Sequence, residues 1–356
     1  MKSGIYGIIM AGGGGTRFWP LSRKQTPKQL LNLSGRDMMV NEAASRLAQV
    51  TSYDNIYIVT NHTQTPKMRE VTQKNIMPEH ILSEPSARNT AACIGYAAMK
   101  ILKTCGDGIL VITPSDAYIR DEKEFARILE IAVDAASSTD KLVTVGITPT
   151  FPATGYGYIR MGQADGDYKP VLKFVEKPDL EHAKEYLSSG DYVWNSGMFV
   201  WKASVILEKF KKLLPDIYAD LEKIASSFGT EEEEKVLFEV YPKIRSISID
   251  YGILEHCDDI LVVPGEFGWN DVGSWDMMNV LHSEDKDGNI QLGDTLLIDC
   301  KDTTAYSCGR LVAAVGVSGL VVVETPDAVL ICPKDKAQDV KKIVDALKEQ
   351  GKDQLL

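Results

Sequence analysis

Four consecutive glycines, a threonine and an arginine follow an apolar stretch near the start of the chain. These residues are Gly12, Gly13, Gly14, Gly15, Thr16 and Arg17. A glycine backbone lacks Cβ, so it can approach a ligand closely and present several N–H groups to one anion. The segment is not a P-loop, because no Lys-Ser/Thr pair follows Gly15. It is not a dinucleotide fingerprint either, because Arg17 stands where the third glycine belongs. It predicts a phosphate-binding loop of another kind, with Arg17 as a bidentate phosphate donor.

Three charged residues extend this prediction. Lys28 follows Pro27, whose fixed backbone restrains the loop that presents the ammonium group. Asp116 comes just after a predicted strand, where a carboxylate is well placed to hold a divalent cation, and Asp271 is a candidate second carboxylate for the same ion. Asp116 also fits an Asx turn, and Asp271 also fits a helix N-cap. The sequence by itself does not bring the two aspartates together.

Two segments in the middle of the chain have the mixed character of a sugar site. Glu176 and Lys177 stand side by side at the end of a predicted strand, and Asn195 lies between Trp194 and a glycine-containing aromatic segment. Sugar sites combine an apolar surface with groups that hydrogen-bond hydroxyls. A surface ion pair and a core strand explain the same two segments.

The first two-thirds of the chain alternates strand and helix patterns. The predicted strands are Ile5–Ala11, Ile56–Thr60, Ile109–Thr113, Leu142–Ile147, Gly157–Met161, Val171–Glu176 and Met198–Trp201. The predicted helices are Met38–Val50, Asn89–Lys103 with Asn89 as N-cap, Glu122–Ala136, Leu180–Ser188 and Ser204–Leu214. This alternation predicts βαβ units and an α/β fold.

The pattern changes near residue 285. Short apolar runs separated by glycines then cover Thr295–Ile298, Leu311–Val317, Leu320–Glu324 and Val329–Ile331, and an amphipathic helix is predicted over Asp335–Lys348. We therefore predict a catalytic domain over residues 1–284 and a small β-domain with a C-terminal helix over residues 285–356.

The net charge and the distribution of apolar residues limit the classes of partner that the protein can bind. The 356 residues carry a formal net charge of -11, which disfavours nucleic-acid binding because phosphate contacts need clustered cations. The apolar run at Ile5–Ala11 ends without a signal-peptide cleavage pattern, and we find no apolar stretch of about 20 residues. We therefore predict a cytoplasmic protein with no membrane partner.

Taken together, these segments resemble the sugar-nucleotide pyrophosphorylase family. The glycine loop, Pro20-Leu21-Ser22 and Pro27-Lys28-Gln29 are similar to its N-terminal signature, and Phe174–Pro178 is similar to its sugar-phosphate motif. Four further segments resemble the mannose-1-phosphate guanylyltransferase branch: Glu84–Ala91, Thr154–Ile159, Trp194–Phe199 and Trp269–Gly273. The motifs occur in register over most of residues 4–332.

The resemblance implies a Rossmann-like nucleotidyltransferase domain with a mixed, mostly parallel sheet, followed by a left-handed β-helix-like domain. It implies GTP and mannose 1-phosphate as substrates, Mg²⁺ as cofactor and a homodimer. Gly12, Gly13, Gly14, Gly15, Thr16 and Arg17 are then expected to hold the triphosphate, and Lys28 to neutralise charge on the α-phosphoryl group. Asp116 and Asp271 are expected to bind the metal. Glu84 and Asn89 are expected to contact guanine, Lys177 the sugar phosphate, and Gly157, Glu176 and Asn195 the sugar hydroxyls.

Two positions depart from the family pattern, and three alternatives remain. Ala117 stands where the family usually has His, and Ala92 where the branch often has Pro. The resemblance implies that longer relatives carry an isomerase domain after this point. Because 356 residues leave no room for such a domain, we predict no isomerase activity for this chain. The alternatives are transfer from UTP or dTTP to glucose 1-phosphate, a non-catalytic nucleotide-sugar sensor, and a Rossmann dehydrogenase, which the failed fingerprint disfavours.

Overall fold

A computed structural model describes residues 4–72, 74–163 and 166–356 of the protein. The strands, in chain order, are β1 Ile5–Ala11, β2 Ile56–Asn61, β3 Ile81–Glu84, β4 Ile109–Pro114, β5 Tyr118–Ile119, β6 Leu142–Ile147, β7 Tyr158–Met161, β8 Lys169–Val175, β9 Tyr192–Lys202, β10 Ile260–Gly265, β11 Trp269–Asn270, β12 Ile290–Leu292, β13 Thr295–Ile298, β14 Thr304–Ser307, β15 Val312–Val315, β16 Leu320–Thr325 and β17 Ala328–Pro333.

The α-helices, in chain order, are α1 Met39–Leu47, α2 Thr65–Thr72, α3 Asn89–Cys105, α4 Glu122–Thr139, α5 Leu180–Ser189, α6 Ala203–Leu213, α7 Pro215–Ala225, α8 Glu233–Val240, α9 Ile249–Gly252, α10 Met278–Leu281 and α11 Val340–Glu349. Short 3₁₀ helices cover Thr16–Phe18, Lys28–Leu30 and Lys334–Asp339. Within the described ranges, no helix has the length and apolar character to cross a membrane.

The chain forms two compact units. The first contains residues 1–12, 43–115 and 119–269, and the second contains residues 13–42, 116–118 and 270–356. Both are therefore built from separate stretches of chain, and the glycine-rich segment enters the second unit at Gly13. The division into domains at residue 284 stays a prediction.

A nine-stranded sheet organises the first unit, in the order β3-β2-β1-β4-β9-β6-β10-β8-β7. Parallel pairing joins β3, β2, β1 and β4, and also β6 with β10, whereas β8 and β9 run against their neighbours. Seven of the nine strands therefore point the same way. This confirms the predicted α/β fold with a mixed, mostly parallel sheet.

Small side chains let helix α3 pack closely in the first unit. Ala91, Ala92, Ala97 and Ala98 are fully buried, and a Cβ on Gly95 would lie only 2.4 Å from Leu221 of α7. Ala92 is therefore part of the core of this unit. Asn89 is the first residue of α3 and not its N-cap, which is Arg88, so the predicted cap was wrong.

The second unit carries coiled parallel strands. Strand β12 pairs with β14 and β14 with β16, while β13 pairs with β15, all in parallel. Alternate strands therefore stack, as in a β-helix, which confirms the predicted β-helix-like region; its left-handedness stays a prediction. The predicted helix over Asp335–Lys348 was partly wrong, because its first turns are 3₁₀ and α11 begins at Val340.

The core of the second unit brings distant segments together. Phe18 and Trp19 from the N-terminal segment pack with Trp275, Val321 and Val344. The indole N–H of Trp19 also donates to the carbonyl oxygen of Leu355 at 2.8 Å. The glycine-rich segment is therefore followed directly by residues anchored to the last helix of the chain.

Candidate active site

A buried lysine organises the charged residues of the second unit. Lys28 is 4% exposed, and its Nζ donates to the Asp116 carbonyl at 2.9 Å, to Asp116 Oδ2 at 3.0 Å and to the Asp271 carbonyl at 2.6 Å. The three N–H groups of the ammonium thus have three partners. The structure therefore brings Lys28, Asp116 and Asp271 together, and we call these residues the lysine cluster.

The glycine-rich segment lies against this cluster. Gly15 has a φ of 56°, in the left-handed region, and a Cβ there would lie 2.3 Å from Lys28 Cβ and 2.8 Å from its backbone nitrogen. Only glycine satisfies both conditions without strain. Gln29, which the sequence analysis did not select, donates from Nε2 to the Gly13 carbonyl at 3.0 Å. Gly13 and Gly14 are exposed.

Thr16 and Arg17 begin a 3₁₀ turn immediately after Gly15. Arg17 is exposed, and within the described residues no hydrogen bond or ion pair involves its guanidinium group. A solvated guanidinium on an anchored turn can pair with an anion without first breaking a protein contact. The buried Phe18, next along the chain, fixes the position of this turn.

The two aspartates supply oxygen ligands of the kind that Mg²⁺ takes. The Asp116 side chain is 43% exposed although Lys28 pairs with it, and the Asp271 carboxylate lies 3.2 Å from where a Cβ on Gly273 would be. Among the described residues, no group of three or more His, Cys, Asp or Glu side chains is arranged to hold a metal. An ion bound by these two carboxylates would therefore take its other ligands from water and substrate phosphates. Ala117, which stands where the family usually has His, is buried.

Glu84 is a strongly perturbed carboxylate of the first unit. It ends strand β3, is 5% exposed, and accepts a hydrogen bond from the Tyr241 hydroxyl on Oε1. Burial raises the pKa of Glu84 to about 7, and the Tyr241 hydrogen bond opposes the rise. Its Oε2 lies 3.0 Å from where a Cβ on Gly12 would be, so a side chain at position 12 would require the Glu84 carboxylate to move by a few tenths of an ångström.

Asn89 is not joined to Glu84. Its side chain is exposed, and Oδ1 accepts from the Thr90 backbone N–H at 2.8 Å. Asn89 adopts a φ of 65°, and Lys177 and Val272 are also non-glycine residues with positive φ, at 44° and 43°. Backbone strain of this kind persists where surrounding structure enforces it and often marks functional sites. Asp140, Asp299 and Asp302, which are not predicted site residues, also have positive φ, so this conformation is not confined to the candidate site.

The predicted sugar residues do come together in the first unit. Asn195 donates its backbone N–H to the Gly157 carbonyl at 2.8 Å, and a Cβ on Gly157 would lie 2.6 Å from Glu176 Oε2. Lys177 pairs with Glu176 through Oε1, which raises the pKa of Lys177. We call Gly157, Glu176, Lys177 and Asn195 the sugar cluster.

Sequence reasoning missed a residue that is hydrogen-bonded to this cluster, Asp250. The Asn195 amide donates to Asp250 Oδ1 at 2.8 Å. Burial raises the pKa of Asp250 to about 6, with a further contribution from the negative charge of Glu176. Asp250 lies in the one-turn helix α9, capped by Ser248. No local spacing in the sequence distinguishes it from other acidic residues.

Comparison with known proteins agrees with this arrangement. A family model described as nucleotidyl transferase matches residues 6–287, and one described as a MannoseP isomerase/GMP-like beta-helix domain matches residues 293–347. The first model spans most of the chain. The chain therefore belongs to the nucleotidyl transferase family and is a nucleotidyltransferase, which confirms the family resemblance of its motifs.

Named relatives narrow the comparison. The chain is 42% identical to xanthan biosynthesis protein XanB of Xanthomonas campestris pv. campestris, over 98% of this chain and 74% of that protein. It is 39% identical to mannose-1-phosphate guanylyltransferase RfbM of Salmonella typhimurium, over 98% of this chain and 73% of that protein. A crystal structure described as mannose-1-phosphate geranyltransferase from Thermus thermophilus superposes with a TM-score of 0.86 at 34% identity, covering 97% of this chain and 99% of that chain.

Proposed function

We propose that the protein transfers GMP from GTP to α-D-mannose 1-phosphate, giving GDP-mannose and pyrophosphate. The observation that carries this proposal is the lysine cluster, in which one buried ammonium joins two separated aspartates beside a glycine-rich segment. A relative that shares 39% identity bears the name mannose-1-phosphate guanylyltransferase, which supports GTP and mannose 1-phosphate over UTP or dTTP with glucose 1-phosphate.

The chemistry requires charge compensation more than a protein nucleophile. A phosphate oxygen of the sugar phosphate is already anionic, so its attack on the α-phosphorus needs no general base. The protein must align two polyanions and offset their repulsion. In this proposal the N–H groups of Gly12, Gly13, Gly14 and Gly15, with Thr16 and Arg17, hold the triphosphate and the departing pyrophosphate.

Lys28 is proposed to neutralise charge that develops on the α-phosphoryl group. Because its three N–H donors already have partners, contact with a phosphate oxygen requires it to exchange at least one of them. Asp116 Oδ2 is the most accessible of these partners, since that side chain is 43% exposed. An exchange at this atom would release a carboxylate oxygen as the ammonium turns to the phosphate.

Asp116 and Asp271 are the residues proposed to hold Mg²⁺. The ion, when bound, would supply positive charge against the phosphates and help to orient them. Hard carboxylate oxygens fit this ion, and the absence of a three-residue cage among the described residues fits an ion that keeps water and phosphate ligands.

Substrate recognition is assigned to residues of the first unit. Glu84 and Asn89 are proposed to contact guanine, because a carboxylate can accept from both N1–H and the 2-amino group. Lys177 is proposed to pair with the sugar phosphate, and Gly157, Glu176 and Asn195 to contact sugar hydroxyls. We further propose a cytoplasmic location and a homodimer. Light scattering tests the homodimer, because a dimer has twice the 39.3 kDa mass of one chain.

Pyrophosphate release measured over a grid of nucleotides and sugar 1-phosphates, with and without Mg²⁺, tests the proposal. We expect GTP with mannose 1-phosphate to give the highest kcat/KM and a chelator to remove the activity. Preference for UTP or dTTP with glucose 1-phosphate would replace the substrate assignment. Pyrophosphate release that does not depend on any divalent cation would contradict the proposed role of Mg²⁺.

A further inference from the structure

Asp250 is held by the amide that sequence analysis had already assigned to sugar binding. Asn195 Nδ2 donates to Asp250 Oδ1 at 2.8 Å, while Asn195 Oδ1 accepts from the Gly197 N–H at 3.1 Å. The backbone N–H of Asn195 donates to the Gly157 carbonyl at 2.8 Å. The two side-chain bonds fix the orientation of the amide, so one N–H of Nδ2 points at Asp250 and the other is directed away from it.

The second oxygen of Asp250 has no comparable partner. Within the described ranges, no side chain donates to Oδ2, and no Lys, Arg or His forms an ion pair with this carboxylate. The nearby ammonium of Lys177 is paired with Glu176 instead. A half-buried carboxylate with a single neutral side-chain donor is costly to maintain, so its retention in the fold needs another reason.

The chemistry of the cluster indicates which ligand group meets Asp250. An ionised carboxylate is an acceptor only, so it repels the phosphate of a sugar phosphate and attracts its hydroxyl groups. Glu176 lies against the same Gly157–Asn195 pair. The Asp250–Asn195 pair, with the negative charge of Glu176 nearby, offers acceptors and a donor to adjacent hydroxyls of a sugar ring.

We propose that Asp250 is a specificity-determining residue of the sugar subsite. Its Oδ2 accepts a hydrogen bond from one ring hydroxyl, while its Oδ1 orients the Asn195 amide towards the adjacent ring hydroxyl. This inference rests on the proposed transfer to a sugar 1-phosphate. It adds to that function a hydrogen-bond acceptor, the Asp250 carboxylate, that would discriminate against a sugar lacking the hydroxyl it binds.

The test couples a change in the protein to a change in the substrate. Steady-state constants would be measured for the wild type and for Asp250→Asn with mannose 1-phosphate and with its 2-, 3-, 4- and 6-deoxy analogues. We expect Asp250→Asn to raise KM for mannose 1-phosphate by about 10–100-fold with little change in KM for GTP. One deoxy analogue should be penalised in the wild type and no longer penalised, relative to mannose 1-phosphate, in Asp250→Asn.

Two further variants separate this role from folding. Asp258→Asn makes the same exchange at an exposed position eight residues further on, and should behave like the wild type. Asp250→Glu keeps the carboxylate but displaces it, and should weaken the same hydroxyl coupling even if Asp250→Asn fails to fold. If the four deoxy penalties are the same in the Asp250 variants as in the wild type, the proposal is overturned.

Failure of the proposed function would look different. The wild type would then release no pyrophosphate from GTP with mannose 1-phosphate, whatever the variant does. The deoxy series would in that case be built on the sugar 1-phosphate that the wild type uses in the substrate grid, and the same loss of coupling would be required of Asp250→Asn.

Discussion

At the scale of single residues, Lys28 and Glu84 show how burial gives ordinary side chains unusual properties. Lys28 is nearly closed off from solvent, and three oxygen atoms accept hydrogen bonds from its Nζ. Glu84 has only the Tyr241 hydroxyl as a side-chain donor among the described residues, and burial raises its pKa to about 7. A buried polar group with few hydrogen-bond partners, such as Glu84, therefore has a shifted pKa and can titrate near neutral pH.

Lys28→Ala should reduce kcat by roughly 10²–10³-fold, because it removes the donor that we propose for the transferring phosphoryl group. Lys24→Ala is the matched control, since the Lys24 side chain is 57% exposed and pairs with the exposed Asp353. Pyrophosphate-release kinetics measure both. Turnover of Lys28→Ala close to that of Lys24→Ala would contradict the catalytic role of Lys28.

Glu84 should make the free energy of unfolding depend on pH. Its folded pKa, about 7, lies above the ordinary value of 4.5. Its contribution is therefore fully present below about pH 4.5 and is lost as pH rises through 7. Relative to Glu84→Gln, the wild type should lose roughly 3 kcal/mol between about pH 4 and pH 8. Urea denaturation over this range, with exposed Glu79→Gln as control, measures the difference. Parallel curves for wild type and Glu84→Gln would exclude the effect.

Nucleotide binding should respond to the same proton with the opposite sign. If Glu84 contacts guanine as an acceptor, only its ionised form can accept from both N1–H and the amino group. KM for GTP in the wild type should therefore rise as pH falls below about 7. The pH profile of kcat/KM for GTP measures this, and a profile that is flat from about pH 8 to pH 6 would argue against guanine contact by Glu84.

At the scale of elements, most of the candidate residues lie where a strand gives way to a loop, whereas Asn195 lies within β9. Strand β1 leads into the glycine-rich segment, β4 is followed by Asp116, and β8 is followed by Glu176 and Lys177. Ligands of open α/β sheets bind beyond strand ends because the strands themselves are occupied by ladder hydrogen bonds and core side chains. The periodicity of the strands therefore located their ends, and with them most of the candidate residues.

Gly15→Ala should disrupt the turn that follows β1. The new methyl group would meet Lys28 Cβ at 2.3 Å while the residue keeps a φ of 56°, so strain and overlap add. We expect a loss of about 2–4 kcal/mol in stability together with a large loss of activity. Gly309→Ala provides the comparison, because no atom lies within 4 Å of its added Cβ and its φ is not positive. Equal melting temperatures for the two variants would show that the turn tolerates a side chain.

At the scale of the whole molecule, the second unit depends on segments from both ends of the chain. Phe18 and Trp19, next to the glycine-rich segment, share a core with Val344 and Leu347 of α11. Helix α11 also packs against the 3₁₀ turn that contains Arg17. Helix α11 therefore supports the turn that follows the glycine-rich segment although it contributes no predicted site residue.

Val344→Asp should consequently lower activity from a distance. Val344 is 5% exposed, so a carboxylate there is buried without a partner, and we expect a loss of about 3–5 kcal/mol in stability. The adjacent Ile343 is 36% exposed, and Ile343→Asp should be nearly neutral. Thermal unfolding and pyrophosphate release measure the pair. A Val344→Asp protein with wild-type melting and turnover would show that α11 does not support the site.

The sequence alone determined the types of element and the chemistry of the loops. Strand β1 was predicted with its observed bounds, Ile5–Ala11, because apolar runs and glycine breaks act over a few neighbouring residues. The glycine-rich segment, Lys28 and the two aspartates were selected for the same local reasons. Strand β10 and helix α7 were missed although both carry local signals: Ile260–Val263 is an apolar run, and Pro215 is a typical first helical residue.

Only the tertiary structure decided which of these residues meet. Asp116 and Asp271 are far apart in sequence, yet both accept from Lys28, and Asp250 and Tyr241 acquire their importance from Asn195 and Glu84. Such contacts depend on which distant segments are brought together by packing within each unit, and on which side chains are buried away from solvent as a result. Periodicity and composition describe neighbours along the chain, whereas hydrogen bonding and burial between distant segments arise only once the chain is folded.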